Sequence, residues 1–141
     1  MEIIELTEKY VKDVANIERE CFSRPWNEAS IEAELENDFS RFLIAVENGR
    51  AVGYVGLYVL TGEADIVRVA VLPEHRKKGI AKAVLTKSLE YASGEVFLDV
   101  RESNSAAISL YKSLGFEDTG VRKDYYSDPT ENAVLMKKII D

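Results

Sequence analysis

One cysteine, one histidine, one tryptophan and three prolines are spread over 141 residues. A lone cysteine closes no internal disulfide and does not by itself supply the usual zinc ligand set, so no metal is expected and Cys21 is read as a core residue. No uninterrupted apolar run approaches the roughly 20 residues of a membrane span, and the opening MEIIELTEKYVKDV lacks the positive start and apolar stretch of a secretory signal. The expected compartment is therefore the cytoplasm, with no membrane partner. Basic residues are in deficit: 18 Lys+Arg against 25 Asp+Glu give a formal charge of −7 and a pI near 4.9. That balance argues against nucleic acid as a general partner, because phosphate binding needs a surplus of Lys and Arg on one face. It suits a basic peptide better. Repeats, low-complexity tracts and linkers are also missing, and a 46% hydrophobic content is enough for one core, so residues 1–141 are read as a single domain.

What is present is a regular alternation of elements. Glu2 to Leu6 reads as a first strand. Thr7 is a plausible N-cap for a helix whose apolar positions Val11, Val14, Ile17 and Cys21 recur every three or four residues. Ser23-Arg24-Pro25-Trp26 breaks it, and Asn27 caps a shorter helix, mostly solvated, with Ile31 and Leu35 on one face. The period then changes: Phe42 to Val46 is a strand, Asn48-Gly49 a hairpin turn and Ala51 to Leu60 its partner. Gly62 marks another turn before a strand over Ala64 to Leu72, which Pro73 ends. A helix over Gly79 to Ala92, a strand over Glu95 to Val100 and a helix over Asn104 to Leu114 follow. Gly115 stops that helix, and strands over Phe116 to Arg122 and Ala133 to Ile139 complete the chain. The order β-α-α-β-β-β-α-β-α-β-β predicts an α/β fold, a mixed sheet of about seven strands with about four helices on both faces.

Two constellations carry chemistry. The first is Arg76-Lys77-Lys78-Gly79-Ile80-Ala81, placed where a helix begins just after a strand. A helix N-terminus offers unpaired N–H groups and partial positive charge, and Gly79 and Ala81 keep side chains out of the way, so a phosphate can approach the backbone. The spaced glycines and Gly-Lys-Ser/Thr ending of the nucleotide P-loop are absent. A solvated basic turn is the competing reading, and His75 has no metal partner nearby. The second constellation is the strand end at Asp99 followed by Asn104, Ala107 and Tyr111. These three recur at i, i+3 and i+7 and share one helical face, with a small residue leaving a slot between two polar ones. Singly, Asn104 reads equally well as a cap, Tyr111 as a core aromatic with its hydroxyl at the rim, and Asp99 as a carboxylate in water.

Taken together, Arg-Lys-Lys-Gly-Ile-Ala at 76–81, Leu-Asp-Val-Arg-Glu-Ser-Asn at 98–104 and Ala-Ile-Ser-Leu-Tyr-Lys-Ser-Leu-Gly-Phe at 107–116 resemble the GNAT acetyltransferases. Pro25-Trp26 and Tyr125-Tyr126 look, more narrowly, like the RimI-like N-terminal alanine acetyltransferases that act on a small-subunit ribosomal protein. The resemblance implies a GNAT fold with a mostly antiparallel sheet, and acetyl-CoA as acetyl donor. Val69, Ala70 and Val71 would pair by backbone with its pantetheine arm. Arg76, Lys77, Lys78, Gly79, Ile80, Ala81 and Lys82 would hold the pyrophosphate, and Asn104 would contact the pantetheine. Tyr111 would be the general acid to the departing thiolate. RimI-like enzymes place a Glu general base where this chain has Asp99, one methylene shorter, so the base is Asp99 directly or through water, with Glu102 in reserve. The acceptor groove would lie between the Ser23 to Asn27 loop and the loop near Tyr125 to Thr130, lined by Trp26 and the tyrosines unless Trp26 anchors the early helices instead. The acceptor implied is a protein N-terminus, of a basic ribosomal protein, taken up by a monomer or weak dimer. Acetylation of a lysine or small amine, and a silent acyl-CoA-binding regulator, are the rival readings.

Overall fold

The computed structural model covers residues 1–141. Its elements are β1 (Glu2–Glu5), α1 (Val11–Cys21), α2 (Glu28–Glu34), β2 (Ser40–Glu47), β3 (Arg50–Leu60), β4 (Glu63–Val71), α3 (Ile80–Leu89), β5 (Gly94–Arg101), α4 (Ser105–Ser113), β6 (Glu117–Tyr126) and β7 (Glu131–Ile140). The strands form one sheet in the order β1-β2-β3-β4-β5-β7-β6, antiparallel throughout except where β4 meets β5. The strand count, the four helices and the mixed sheet agree with the sequence reading.

Central strands are apolar on both sides. Phe42 to Val46 and Ala51 to Leu57 are buried without interruption, the signature of a sheet covered on each face. Neighbouring residues of β3 show which helix lies where. Tyr54 points its hydroxyl to Glu18 of α1, while a Cβ on Gly53 would lie 3.3 Å from Ile80 of α3. Because successive strand residues face opposite ways, α1 and α3 sit on opposite faces. No helix is long and apolar enough to cross a membrane.

Two local readings are corrected. Thr7 precedes a 3-10 turn, Glu8–Tyr10, without a side-chain cap bond, and α1 starts at Val11. The shorter helix α2 is mostly solvated, as read, with Ile31 buried and Glu34 accepting a hydrogen bond from the Tyr58 hydroxyl. β6 runs on past Arg122 to Tyr126, because its register shifts between those residues and the Asn132 side chain accepts from the Asp124 N–H, 3.0 Å. A strand so exposed carries no apolar alternation for the sequence to display.

The parallel pair is short. Only Glu63, Ala64 and Asp65 pair with Glu95, Val96 and Phe97. Gly94 seats this junction: its φ is +76°, a Cβ there would collide with the Gly62 carbonyl, and that carbonyl accepts from the Glu95 N–H at 3.1 Å. Gly62 has the same left-handed backbone, but open space where its Cβ would be. Gly62→Ala is therefore expected to cost about 1 kcal/mol from backbone strain alone, and Gly94→Ala more than about 2 kcal/mol, in urea unfolding. Equal losses would contradict this account of the junction.

Candidate active site

Past Asp65 and Phe97 the two parallel strands lose their hydrogen bonds and part. The gap is a cavity of about 390 Å³ walled by Ile66 to Val69 of β4 and Leu98 to Arg101 of β5. Cys21 to Arg24 after α1, Asn104 and Tyr111 at α4, and Tyr125 to Ser127 at the end of β6 complete it. A parallel pair is the one place in this sheet where neighbouring strands leave in the same direction, so a wedge can open between them without an unpaired hairpin.

Asp99 and Tyr111 face this one cavity. Asp99 alternates with the buried Leu98 and Val100, and its carboxylate accepts a hydrogen bond from the Tyr126 hydroxyl, 2.9 Å. Burial, then the charge of Asp99, raises the Tyr126 phenol well above its ordinary range and keeps it a donor. Tyr111 is buried edge-on against Phe116, centroids 6.0 Å apart, and burial with the Asp99 charge pushes its hydroxyl up to about 12. The Asn104 side chain caps α4 by accepting from the Ala107 N–H, 3.1 Å, while still lining the cavity, so both readings of it hold in geometry. Glu102 is exposed and lies outside the cavity wall.

Val69 lines the cavity, whereas Ala70 and Val71 are buried further along β4. The basic segment begins beyond them. Arg76 folds back, its Nε donating to the Val71 carbonyl at 3.0 Å. Lys77, Lys78 and Lys82 are exposed and make no ion pair, which leaves their charge available in a protein of net charge −7. Lys77 and Gly79 adopt φ of 64° and 77°, and α3 starts at the buried Ile80 with no acidic residue in its first turn. Open space surrounds the missing Cβ of Gly79. Left-handed turns leading into a helix start turn successive N–H groups outward as an anion cradle, so this segment fits the pyrophosphate of a coenzyme A.

Two smaller expectations change. Cys21 is half-buried at the cavity wall, its thiol donating to the Val71 carbonyl at 3.4 Å, and burial raises its pKa. His75 neither packs apolar nor points to water; its Nδ1 lies 3.4 Å from Glu47.

The acceptor side rests on a buried charge that the sequence reading passed over. Glu18 is 0% exposed. Its carboxylate accepts from the Tyr54 hydroxyl, from the Trp26 N–H at 2.8 Å and from Arg68 Nη2 at 3.1 Å. The Arg68 guanidinium lies 4.1 Å from the Phe22 centroid and 4.5 Å from that of Trp26, and Trp26 stacks on Phe42. Trp26 thus anchors the loop after α1 and does not line the cavity. The available signal was Glu18 itself, four residues after Val14 on the apolar stripe of α1. Across the groove, Arg101 fixes the β6–β7 turn through the Ser127 and Pro129 carbonyls, both 2.9 Å, and stacks on Tyr126. An exposed pair, Arg24 to Asp128 at 2.6 Å, links the two rims.

This wedge, with a basic cradle at one mouth and a carboxylate facing a phenol inside, is the architecture of one family. Residues 11–116 match the acetyltransferase (GNAT) family. The chain belongs to that family. GNAT enzymes draw their acetyl group from acetyl-CoA, and this chain is an N-acetyltransferase. It is similar to the ribosomal protein bS18-alanine N-acetyltransferase of Escherichia coli, 30% identical over 86% of this chain and 85% of the relative. It is also similar to the N-alpha-acetyltransferase RimI of Mycobacterium tuberculosis, 31% identical over 94% and 89%. Among solved GNAT structures, the Escherichia coli ribosomal-protein-S18-alanine N-acetyltransferase superposes with a TM-score of 0.89 at 28% identity, over 99% of this chain and 94% of that one. Ard1 from Thermoplasma volcanium gives 0.89 at 27%, over 99% and 97%.

Removing one partner of a buried charge strands the other. Arg68→Met is expected to lower stability by about 3–5 kcal/mol in chemical denaturation because it leaves Glu18 uncompensated, while the double variant Glu18→Met/Arg68→Met recovers a large part of that loss. A fully additive double variant would show that the two groups do not act as a pair.

Proposed function

We propose that this GNAT enzyme acetylates the free α-amine of a protein N-terminus, with the N-terminal alanine of a small-subunit ribosomal protein of the bS18 type as the first acceptor to test. The observation that carries the reading is the meeting of Asp99 and Tyr111 in one cavity at the parting of β4 and β5. The similarity to two N-terminal acetyltransferases of nearly the same length supports it.

The residues fit the donor. Lys77, Lys78, Gly79 and Ile80, with Arg76, Ala81 and Lys82 beside them, would hold the pyrophosphate. Backbone groups of Val69, Ala70 and Val71 would pair with the pantetheine arm, since β4 has no partner strand on that side beyond Asp65, and Asn104 would touch it from α4. The donor carries the acetyl group as a thioester. A backbone N–H of β4 would stabilise the developing oxyanion.

Asp99 takes a proton from the acceptor amine, directly or through one water, as its nitrogen bonds to the acetyl carbon. Tyr126 holds that carboxylate in one orientation. As the carbon–sulfur bond breaks, Tyr111 gives its proton to the sulfur. An α-amine with a pKa of about 7.7–8.0 is partly neutral near pH 7, unlike a lysine near 10.4, so the modest basicity of an aspartate suffices. The Tyr111 proton is retained well above pH 10 because burial raises the phenol to about 12.

Tyr111→Phe is expected to lower kcat by about 10²–10⁴ while leaving the KM for acetyl-CoA within about threefold. Unchanged kcat with chemistry limiting would remove Tyr111 from the reaction. In wild type, raising pH first deprotonates the amine and increases the rate. Since Tyr111 is still protonated at pH 10, kcat at saturating substrates should hold level from about pH 8.5 to 10; a fall centred in that window would contradict the assignment. The deciding assay is thiol release from acetyl-CoA with a peptide beginning Ala-Arg-Tyr and with its N-blocked counterpart bearing an internal lysine. Turnover confined to the free N-terminus supports the proposal, and turnover on the blocked peptide moves the acceptor to lysine.

A further inference from the structure

The charges around the cleft do not balance evenly. Each cation in the cavity wall has its own anion: Arg24 with Asp128 at 2.6 Å, Arg68 with Glu18 at 3.1 Å and Arg101 with Glu131 at 3.2 Å. Asp99 of this wall and Asp65 of the adjoining cavity are left over. Asp99 accepts only from the neutral Tyr126 hydroxyl, and Asp65 makes neither a side-chain hydrogen bond nor an ion pair.

These two are neighbours by construction. Asp65 is the last residue of β4 paired to β5, opposite Phe97, and Asp99 follows Phe97 by two positions. Alternation puts Asp65, Phe97 and Asp99 on one face, where both carboxylates line a cavity of about 680 Å³. None of the other polar groups on that face pairs with either carboxylate, although Arg122 lines the same cavity. Tyr58, opposite Asp65 on β3, donates to Glu34. Arg122 lies 5.2 Å from the Tyr125 centroid, and Lys137, opposite Phe97 on β7, is 3.4 Å from Glu95. The pKa of Asp65 is raised by burial and by the charge of Asp99, as expected of two carboxylates sharing a site with no fixed cation between them. Neither carboxylate has a cation at ion-pair distance, and an incoming ammonium supplies one.

We propose that Asp65 is the second carboxylate of the acceptor site, holding the incoming α-ammonium between itself and Asp99 at the point where β4 and β5 part. The bound ammonium first releases one proton to solvent; as the neutral amine bonds to the acetyl carbon a second N–H bond breaks and an O–H bond forms on Asp99, while Asp65 keeps its charge and accepts a hydrogen bond from the remaining N–H. Asp65 is thus a substrate-positioning residue for cationic acceptors. The inference rests on the amine-acceptor reading above.

The test uses the full chain and the variants Asp65→Asn and Asp65→Glu; Asp65 is exposed, so neither change disturbs the core. Alaninamide, a free α-amine without a peptide chain, is titrated against each by NMR without acetyl-CoA. Asp65→Asn should bind it about tenfold more weakly than wild type, the order expected of one charge-assisted hydrogen bond, and Asp65→Glu should recover most of that loss. With acetyl-CoA and the Ala-Arg-Tyr peptide, Asp65→Asn should raise the peptide KM about tenfold while kcat changes less than about threefold. Equal alaninamide affinity in wild type and Asp65→Asn, or no binding to wild type, overturns the role of Asp65. A wild-type protein that turns over no N-terminal peptide instead removes the acceptor assignment, and the alaninamide comparison still decides Asp65.

Discussion

The site exists because one pair of strands is held together over three residues and no further. Everywhere else the sheet is antiparallel and closed by hydrogen bonds along the strands, but β4 and β5 run the same way and share only the pairs from Glu63 to Asp65. Parallel strands cannot be joined by a tight turn, so a long connection separates them, and that connection carries the basic loop and α3. One constraint therefore delivers two things. It opens a wedge where β4 has no partner strand beyond Asp65, and it places a helix start in the connection that follows. Gly94, packed against the Gly62 carbonyl, fixes where the opening begins.

A wedge needs rigid walls, and here they are stiffened by charges that are buried or stacked. Glu18 ties α1, β3, β4 and the loop before α2 through Tyr54, Arg68 and the Trp26 N–H. Burying such a pair costs desolvation that only complete hydrogen bonding offsets, and its value lies in fixing one arrangement more than in net stability. Arg101 does the corresponding work for the β6–β7 side, where Glu131 accepts from the Ser103 N–H at 2.5 Å and, through that bond and Arg101, has a pKa below the usual carboxylate range. The rims are linked by the exposed Arg24 to Asp128 pair, which contributes little to stability.

The sequence displayed the frame well, because period and punctuation are local. Asn48-Gly49, Pro73 and Gly115 marked turns that the structure contains, and the Asn104, Ala107, Tyr111 spacing brought two of its members to the cavity wall. It displayed partnership poorly. Nothing local says that Glu18 meets Arg68, fifty residues away, or that Asp65 and Asp99 share a face, since both depend on which strands are neighbours. The late part of β6 was also hidden, because an exposed, bulged strand has no apolar rhythm. Glu18 was the recoverable case: an acid on an otherwise apolar helical stripe implies a buried partner.

On the proposed reading, charge orders the two substrates. The donor end carries Lys77, Lys78 and Lys82 without internal partners, and the acceptor end carries Asp65 and Asp99 without fixed cations, so the wedge is polarised along its length although the chain as a whole is acidic at −7. A polyanionic donor would be drawn to one mouth and repelled from the other, and an ammonium would be favoured at the carboxylate end. A shorter acid at the base position fits this arrangement. Tyr126 fixes Asp99 from one side, and on the proposed reading the reach lost with one methylene would be made good by bringing the amine to the carboxylate. On the proposed reading an α-amine asks little of the base, because a pKa of about 7.7–8.0 leaves part of it neutral near pH 7.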